Sequence, residues 1–197
     1  MDLEAATRGL IYVLHALFYG AFLLRLAPKR SAGAAAEVEQ PLTARRSAAL
    51  VFLHGTAFAV MYYGIGQAVA APAWARLLLA PQPLLGGGVI LLGAALVAWT
   101  MRVFRSWRLL ARVDAGHQLC TEGPFRWVRH PIYLALDLLA LGSALWLPTP
   151  WTAAGLSMMV VTGDIRARGE EKLLIAAFGD AYRRYQAGVR RFIPRIY

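Results

Sequence analysis

GPFRWVRHPIYLALDLLALGSALWL, Gly123–Leu147, is the stretch whose reading decides the fold. Its opening, Gly123–His130, is polar and aromatic, and Pro131–Leu147 is almost wholly apolar. Gly123-Pro124 marks a turn, and Pro131 suits the first turn of a helix, where a backbone N–H would have no helical acceptor. Between them stand Arg126, Arg129 and His130. Donors and fixed positive charge therefore gather where a helix enters an apolar environment. A helix start adds unpaired N–H groups and a partial positive charge. Together they suit an anion such as a carboxylate or phosphate. An Arg that only anchored the helix to headgroups would need neither the Gly-Pro turn nor Tyr133.

The rest of the chain supplies the apolar environment. Of 197 residues, 58% are hydrophobic and 16% charged, yet the formal net charge is +10. The mean hydropathy is +0.48. Apolar bulk with clustered Lys and Arg points to an integral membrane protein with basic loops on one side. A nucleic-acid binder can be as basic but has no use for long uncharged runs, so no nucleic-acid partner is expected. Cys120 is the only cysteine, which excludes an intrachain disulfide. His15, His54, His117 and His130 are scattered without zinc spacing, and no metal is expected. Asp2 and Glu4 precede the first apolar run, where a secretory signal would be positive, so Leu10–Leu26 is expected to be retained.

A membrane-crossing helix takes about 20 mostly apolar residues. Five stretches qualify or nearly do: Arg8–Leu26, Ser47–Ala70, Leu84–Phe104, Pro131–Leu147 and Trp151–Ile165. The last two are short and turn through Pro148-Thr149-Pro150, which predicts a tight helical hairpin. The expected fold is thus an all-α integral membrane protein of one domain, 1–197, with about five transmembrane helices. Residues 1–104 hold three spans. Residues 105–197 hold a connector, the hairpin and a cytoplasmic C-terminal helix over Gly169–Phe178, ended or bent by Gly179. Ala27–Arg46 and Ala71–Pro83 read as loops, the first with an Ala-rich centre that suits a short surface helix. Arg102, Arg105, Arg108 and Arg112 recur at helical spacing, so the third helix is expected to continue as a basic stripe against anionic headgroups. Gly86-Gly87-Gly88 follows no strand and reads as close helix packing rather than a phosphate loop. Lys and Arg concentrate in alternate connections, which places the N-terminus outside and the C-terminus and both polar clusters on the cytoplasmic side. Trp74, Trp146 and Trp151 would mark outer helix ends, and Trp99 and Trp107 inner ones.

Other polar residues carry competing readings. Glu170-Glu171 suits a cation or a ribose diol, or an ordinary helix start. Neighbours on a helix point about 100° apart, so the two should not serve one atom. Asp137, one turn beyond Tyr133, reads equally as a functional carboxylate or as a hydrogen-bond partner of a neighbouring helix. His15 and His54 suggest interhelical hydrogen bonds, with substrate contact second. Phe18-Tyr19 and Tyr62-Tyr63 suggest packing.

GPFRWVRHPIY, an apolar hairpin and then EEKLLIAAFGDAYRRYQAGVRRFIP resemble the isoprenylcysteine carboxyl methyltransferase family and its phospholipid methyltransferase relatives. The pattern is carried by Gly123-Pro124-Phe125, Arg129-His130-Pro131-Ile132-Tyr133, Glu170-Glu171, Phe178-Gly179-Asp180-Ala181-Tyr182 and Pro194, and covers the C-terminal half. The resemblance implies S-adenosylmethionine as cofactor without a Rossmann domain. It implies a cofactor site lined by Leu119, Gly123, Pro124, Val128, His130, Pro131, Tyr133, Glu170 and Glu171. Arg129, Tyr133 and Glu171 are expected at the reacting centre. The implied substrate is lipophilic, an isoprenylcysteine-type carboxylate or similar, reached sideways among membrane lipids. A carboxylate acceptor needs no base, whereas a thiol or amine must lose a proton. A phospholipid amine, a small thiol, an NADPH-dependent sterol-type reductase and a non-enzymatic membrane protein stay open as alternatives.

Overall fold

The computed structural model describes residues 3–23, 41–70, 82–104 and 119–197, without the side chains of 3–8, 22–23 and 41–47. The described residues form six helices and no strand. They are α1 (Leu3–Leu23), α2 (Pro41–Ala70), α3 (Pro83–Val103), α4 (Pro131–Trp146), α5 (Pro150–Phe178) and α6 (Asp180–Gly188), with a 3-10 turn at Gly123–Arg126. Four helices open on a proline, whose fixed φ is already helical and whose missing donor is not needed there. α5 is also capped by its own threonines. Thr149 Oγ1 accepts from the Thr152 N–H at 3.0 Å, and Thr152 Oγ1 accepts from the Thr149 N–H at 2.9 Å. Such a reciprocal cap contributes on the order of 1 kcal/mol.

Side by side the helices run α1, α3, α4, α5, α2, and α1 meets α2 to close the bundle. α3 and α4 approach most closely. A Cβ on Gly142 would lie 2.6 Å from the Gly86 carbonyl oxygen, and one on Gly86 2.5 Å from that of Gly142. Trp146, the last residue of α4, is buried against Gly86 and Gly87 and belongs to the core. Ile11, Phe18, Met61, Ile90, Val97, Leu139 and Met159 fill the centre. The interhelical hydrogen bonds expected of the two histidines are present: His15 meets Ser143 Oγ at 3.1 Å and His54 meets Thr162 Oγ1 at 2.8 Å. Tyr19 and Tyr62, expected to pack, are also bonded, the Tyr62 hydroxyl donating to that of Tyr19 at 3.1 Å.

The outward faces are apolar too. Leu10, Val13 and Leu17 of α1, Phe52 of α2, Leu84 and Leu92 of α3, and Val160 and Val161 of α5 are exposed. A bundle surrounded by water would put charge there. Ala48–Ala70 and Pro83–Val103 are long and apolar enough to cross a membrane, while Gly9–Ala21 and Pro131–Trp146 are apolar but shorter.

Several boundaries differ from expectation. α1 begins at Leu3, and α2 begins at Pro41, so the end of the expected Ala27–Arg46 loop is helical. α3 stops at Val103 because Phe104 turns extended, at φ −86° and ψ 97°. Arg105, Arg108, Arg112, Trp74, Trp107 and the Ala-rich surface segment lie outside the described residues. The largest correction is α5. The expected span Trp151–Ile165 and separate helix Gly169–Phe178 are one helix of 29 residues, about 43 Å long. No proline interrupts it, and Arg168 donates to Asp164 four residues back at 2.6 Å, across the change from apolar to polar sequence. Gly179 then breaks the chain at φ 53° and ψ −126°, a conformation that favours glycine.

Candidate functional site

The site is built where the Gly123 turn, the start of α4 and the polar half of α5 meet the C-terminal tail. Gly123 has φ 55°, and a Cβ there would fall 2.8 Å from Val103 Cγ2. Glycine thus lets the turn cross the end of α3, where Phe125 packs edge-on against Phe104 at 5.2 Å. The chain then runs beside the tail. Val128 pairs with Arg190 in a parallel bridge, the Arg129 N–H donates to the Arg190 carbonyl at 2.8 Å, and the His130 N–H donates to that of Arg191 at 3.1 Å. This short ladder fixes the positions of Arg129 and His130.

Glu171 is the hub. Its Oε1 accepts from Arg129 Nε and Nη2 at 3.1 and 2.8 Å, from Arg191 Nε at 3.0 Å and from His130 Nε2 at 3.3 Å. Its Oε2 accepts from Arg191 Nη2 at 2.7 Å and Gln186 Nε2 at 3.2 Å. A carboxylate offers about four lone-pair sites, so this one is saturated. Burial alone would push the Glu171 carboxyl up. The hydrogen bonds from His130, Arg191 and Arg129 outweigh that and hold it below the usual carboxylate range. Arg129 is equally committed, since its Nη1 donates to the carbonyls of Gln186, at 3.2 Å, and Val189.

Glu170 points elsewhere and is a quarter exposed, with side-chain accessibility of 26%. Its Oε1 accepts from the Tyr133 hydroxyl at 2.5 Å, and its Oε2 lies 3.6 Å from His130 Nδ1. His130 therefore stands between two carboxylates, one at each ring nitrogen. Burial lowers its pKa, but the two glutamates outweigh burial and raise it, favouring the imidazolium that donates from both nitrogens. Tyr133 forms the inner wall. The Arg166 guanidinium sits 5.3 Å over its ring, and the rings of His130 and His54 lie 5.8 and 6.2 Å away.

Of the residues expected from sequence, Arg129, His130, Tyr133, Glu170 and Glu171 are brought together. The others frame them. Gly123 and Pro124 shape the turn, Leu119 lies half-buried ahead of it, Val128 pairs with the tail, and Pro131 opens α4. Sequence reasoning missed Arg166, Gln186 and Arg191, and the second lock in which Arg191 Nη1 and the Tyr197 hydroxyl both donate to Asp164 Oδ1 at 3.0 Å. Arg190-Arg191 read only as basic tail. In an extended pair alternate residues point to opposite faces, so Arg191 turns in and Arg190 out. Arg126, Arg190 and Arg195 line an outer groove of about 430 Å³ beside Trp127 and make no ion pair among the described residues. Asp137 does not make the interhelical hydrogen bond weighed for it, and its Oδ1 is buried without a partner, as is His54 Nε2. No group of three or more His, Cys, Asp or Glu among the described residues is arranged to hold a metal ion.

The profile of the phospholipid methyltransferase family matches residues 81–181, which take in α3, the Gly123 turn, α4 and α5. Methanethiol S-methyltransferase of Mycobacterium tuberculosis is 35% identical over 97 residues, which are 47% of this chain and 36% of that protein. Protein-S-isoprenylcysteine O-methyltransferase of Schizosaccharomyces pombe is 33% identical over 84 residues, 42% of this chain and 36% of that protein. The matched region thus spans little more than a third of the length of these curated relatives.

Proposed function

The chain belongs to the phospholipid methyltransferase family, and from that premise we propose that it is an S-adenosylmethionine-dependent methyltransferase acting on a lipophilic acceptor at the cytoplasmic face of a membrane. The observation that carries this reading is the division between the two glutamates. Glu171 is consumed by internal donors, while Glu170, beside Tyr133 and His130, keeps accessible carboxylate oxygen. The donor set suits the cofactor. Glu170 matches its ribose diol or ammonium. The first turn of α4, where the N–H groups of Ile132 and Tyr133 have no helical acceptor, matches its carboxylate. When bound, the cofactor supplies a methyl group made electrophilic by a sulfonium.

The chain's own residues align and shield that group, which is most of what an in-line methyl displacement asks of a protein. Tyr133 stands at the reacting centre, between the polar cluster and the apolar bundle. Arg129 and Glu171 act as positioning residues by holding His130 and the start of α4 against the tail. Gly123, Pro124, Val128 and Leu119 shape the rim. The acceptor is taken from the class that the relatives' names span, sulfur-bearing and lipophilic.

Five crossings, an outer N-terminus and a cytoplasmic C-terminus complete the reading. Apolar outward faces on α1, α2, α3 and α5 support it. So do Arg126, Arg190 and Arg195, unpaired among the described residues, which suit anionic headgroups beside the site.

The test is calorimetry of S-adenosylmethionine and S-adenosylhomocysteine on purified protein in lipid. The wild type should bind both, Glu170→Gln should weaken binding about tenfold or more, and NADPH should give no heat. A folded wild-type protein that binds neither sulfur compound would overturn the proposal.

A further inference from the structure

The ladder that carries the polar cluster on one face has a second face. The Gly123 turn and the tail pair through Val128 and Arg190, and alternate residues of such a pairing point opposite ways. Arg191 turns inward onto Glu171, with its Nη2 2.7 Å from Oε2. Arg190 turns outward, where it lines the groove of about 430 Å³ together with Arg126, Trp127, Pro194 and Arg195. The three arginines are exposed, and none makes an ion pair among the described residues. Like charges around one concavity repel, and the repulsion works against the pairing of the two segments that carry them.

One of the three is set in place by the backbone. Arg195 is held at φ 67° and is the only residue other than glycine with a positive φ among the described residues. Pro194 precedes it, and the Ile196 N–H donates to the Ile193 carbonyl at 3.1 Å. Arg195 thus occupies the third position of a tight turn that ordinarily takes glycine. Glycine would sit there more easily, but it would remove a cation from the groove.

The surroundings name the occupant. Trp127 is 61% exposed and stands just before Pro131, where α4 begins its apolar course. Ile193 and Ile196, on either side of Pro194 and Arg195, are 48% and 76% exposed. Arginine beside exposed indole and aliphatic side chains suits a membrane interface. A soluble phosphate compound has no use for the apolar rim. A choline headgroup brings a cation toward three others. A headgroup whose net charge is that of its phosphate suits both the arginines and the rim.

We propose that the groove binds the phosphate of an anionic phospholipid, and that the bound headgroup, bridging Arg126 of the turn to Arg190 and Arg195 of the tail, holds the ladder closed and tightens cofactor binding on its other face. The headgroup site stands on the groove itself, and the coupling rests on the proposed S-adenosylmethionine site. The route between them is short. The Arg190 carbonyl accepts the Arg129 N–H at 2.8 Å, and the Arg191 carbonyl accepts that of His130 at 3.1 Å. By linkage, a headgroup that favours cofactor binding is itself favoured by the cofactor.

The experiment uses the full chain in nanodiscs of phosphatidylcholine, alone or mixed with phosphatidylglycerol, with S-adenosylhomocysteine affinity read by calorimetry. Short-chain phosphatidylglycerol, glycerol phosphate and inorganic phosphate are titrated separately onto the protein in uncharged detergent. The wild type should bind the short-chain lipid and take up the two soluble phosphates far more weakly. Phosphatidylglycerol in the nanodisc should tighten S-adenosylhomocysteine about fivefold or more, and the gain should fade with added salt. Arg126→Gln and Arg195→Gly should each lose most of the lipid heat and most of the gain. In pure phosphatidylcholine they should match or slightly exceed the wild-type affinity, because one repelling charge is gone. Arg184→Gln removes an exposed tail cation that does not line the groove and should keep the gain. Equal loss in Arg184→Gln, equal binding of inorganic phosphate, or no gain from phosphatidylglycerol would overturn the inference and leave the proposed function standing. A wild type that binds short-chain phosphatidylglycerol but no S-adenosylhomocysteine would overturn the proposed function and the coupling, and would uphold the headgroup site.

Discussion

Glu170 and Glu171 adjoin in sequence and have opposite tasks. Glu171 lies in a buried ion pair with Arg129, and removing one partner of such a pair costs roughly 3–5 kcal/mol because the other charge is left unmatched. Glu171→Gln should therefore lower the thermal midpoint sharply, whereas Glu170→Gln should leave it nearly unchanged while weakening cofactor binding. Thermal melts beside calorimetry separate the two. The same cluster sets a pH window. His130's pKa is raised on folding, so its contribution to stability is whole below the unfolded value of 6.5 and is lost as pH rises through the folded value. Glu171's is lowered, so its contribution is whole above 4.5 and is lost as pH falls through the folded value. The cluster's contribution to the thermal midpoint should be whole between 4.5 and 6.5 and fall on both sides, and His130→Gln should abolish its alkaline fall and soften the acid one, because the hydrogen bond from His130 is among those that hold the Glu171 carboxyl down. The sequence displays Arg129, His130 and the glutamate pair, because they adjoin a proline start and interrupt apolar runs. It does not display which glutamate is saturated, since that depends on Gln186 and Arg191 arriving from the tail.

At the scale of elements, the three adjacent glycines of α3 are not equivalent. Gly86 meets the backbone of α4 at Gly142, while a Cβ on Gly88 would meet nothing within 4 Å. Gly142→Ala and Gly86→Ala should each destabilise by about 1–3 kcal/mol, because the obstacle is backbone that cannot turn aside. Gly88→Ala should be neutral or stabilise by up to about 1 kcal/mol through helix propensity. Melting of the three variants in one detergent checks this. The start of α4 is legible because Pro131 marks it, whereas the start of α2 at Pro41 is hidden in a stretch that reads as a basic loop. The unbroken course of α5 is hidden too, since the change from apolar to charged residues at Arg166 looks like an end. Composition registers the change of surroundings, while the backbone hydrogen bonds run straight through it.

At the scale of the molecule, the bundle and the site are made from different ranges of sequence. Hydropathy alone exposes the bundle, and the family pattern exposes most of the site. The parallel pairing of Val128 with Arg190 is too short to leave a periodic signature, and Asp137 and His54 become buried polar groups with an unpaired atom each only once α2, α4 and α5 are packed. A chain stopped after Gly179 should keep the helical signal of the α1–α5 bundle by circular dichroism yet bind no S-adenosylhomocysteine, because Gln186, Val189, Arg190 and Arg191 are missing from the hub.

The ladder between residues 128–130 and 190–191 also orders events during folding. Residues 190–191 follow all five bundle helices along the chain, so the bundle can pack before the pairing that holds Arg129 and His130 closes. Until it closes, those two residues lack the backbone partners that fix their direction, and the polar cluster is the last part of the molecule to take shape.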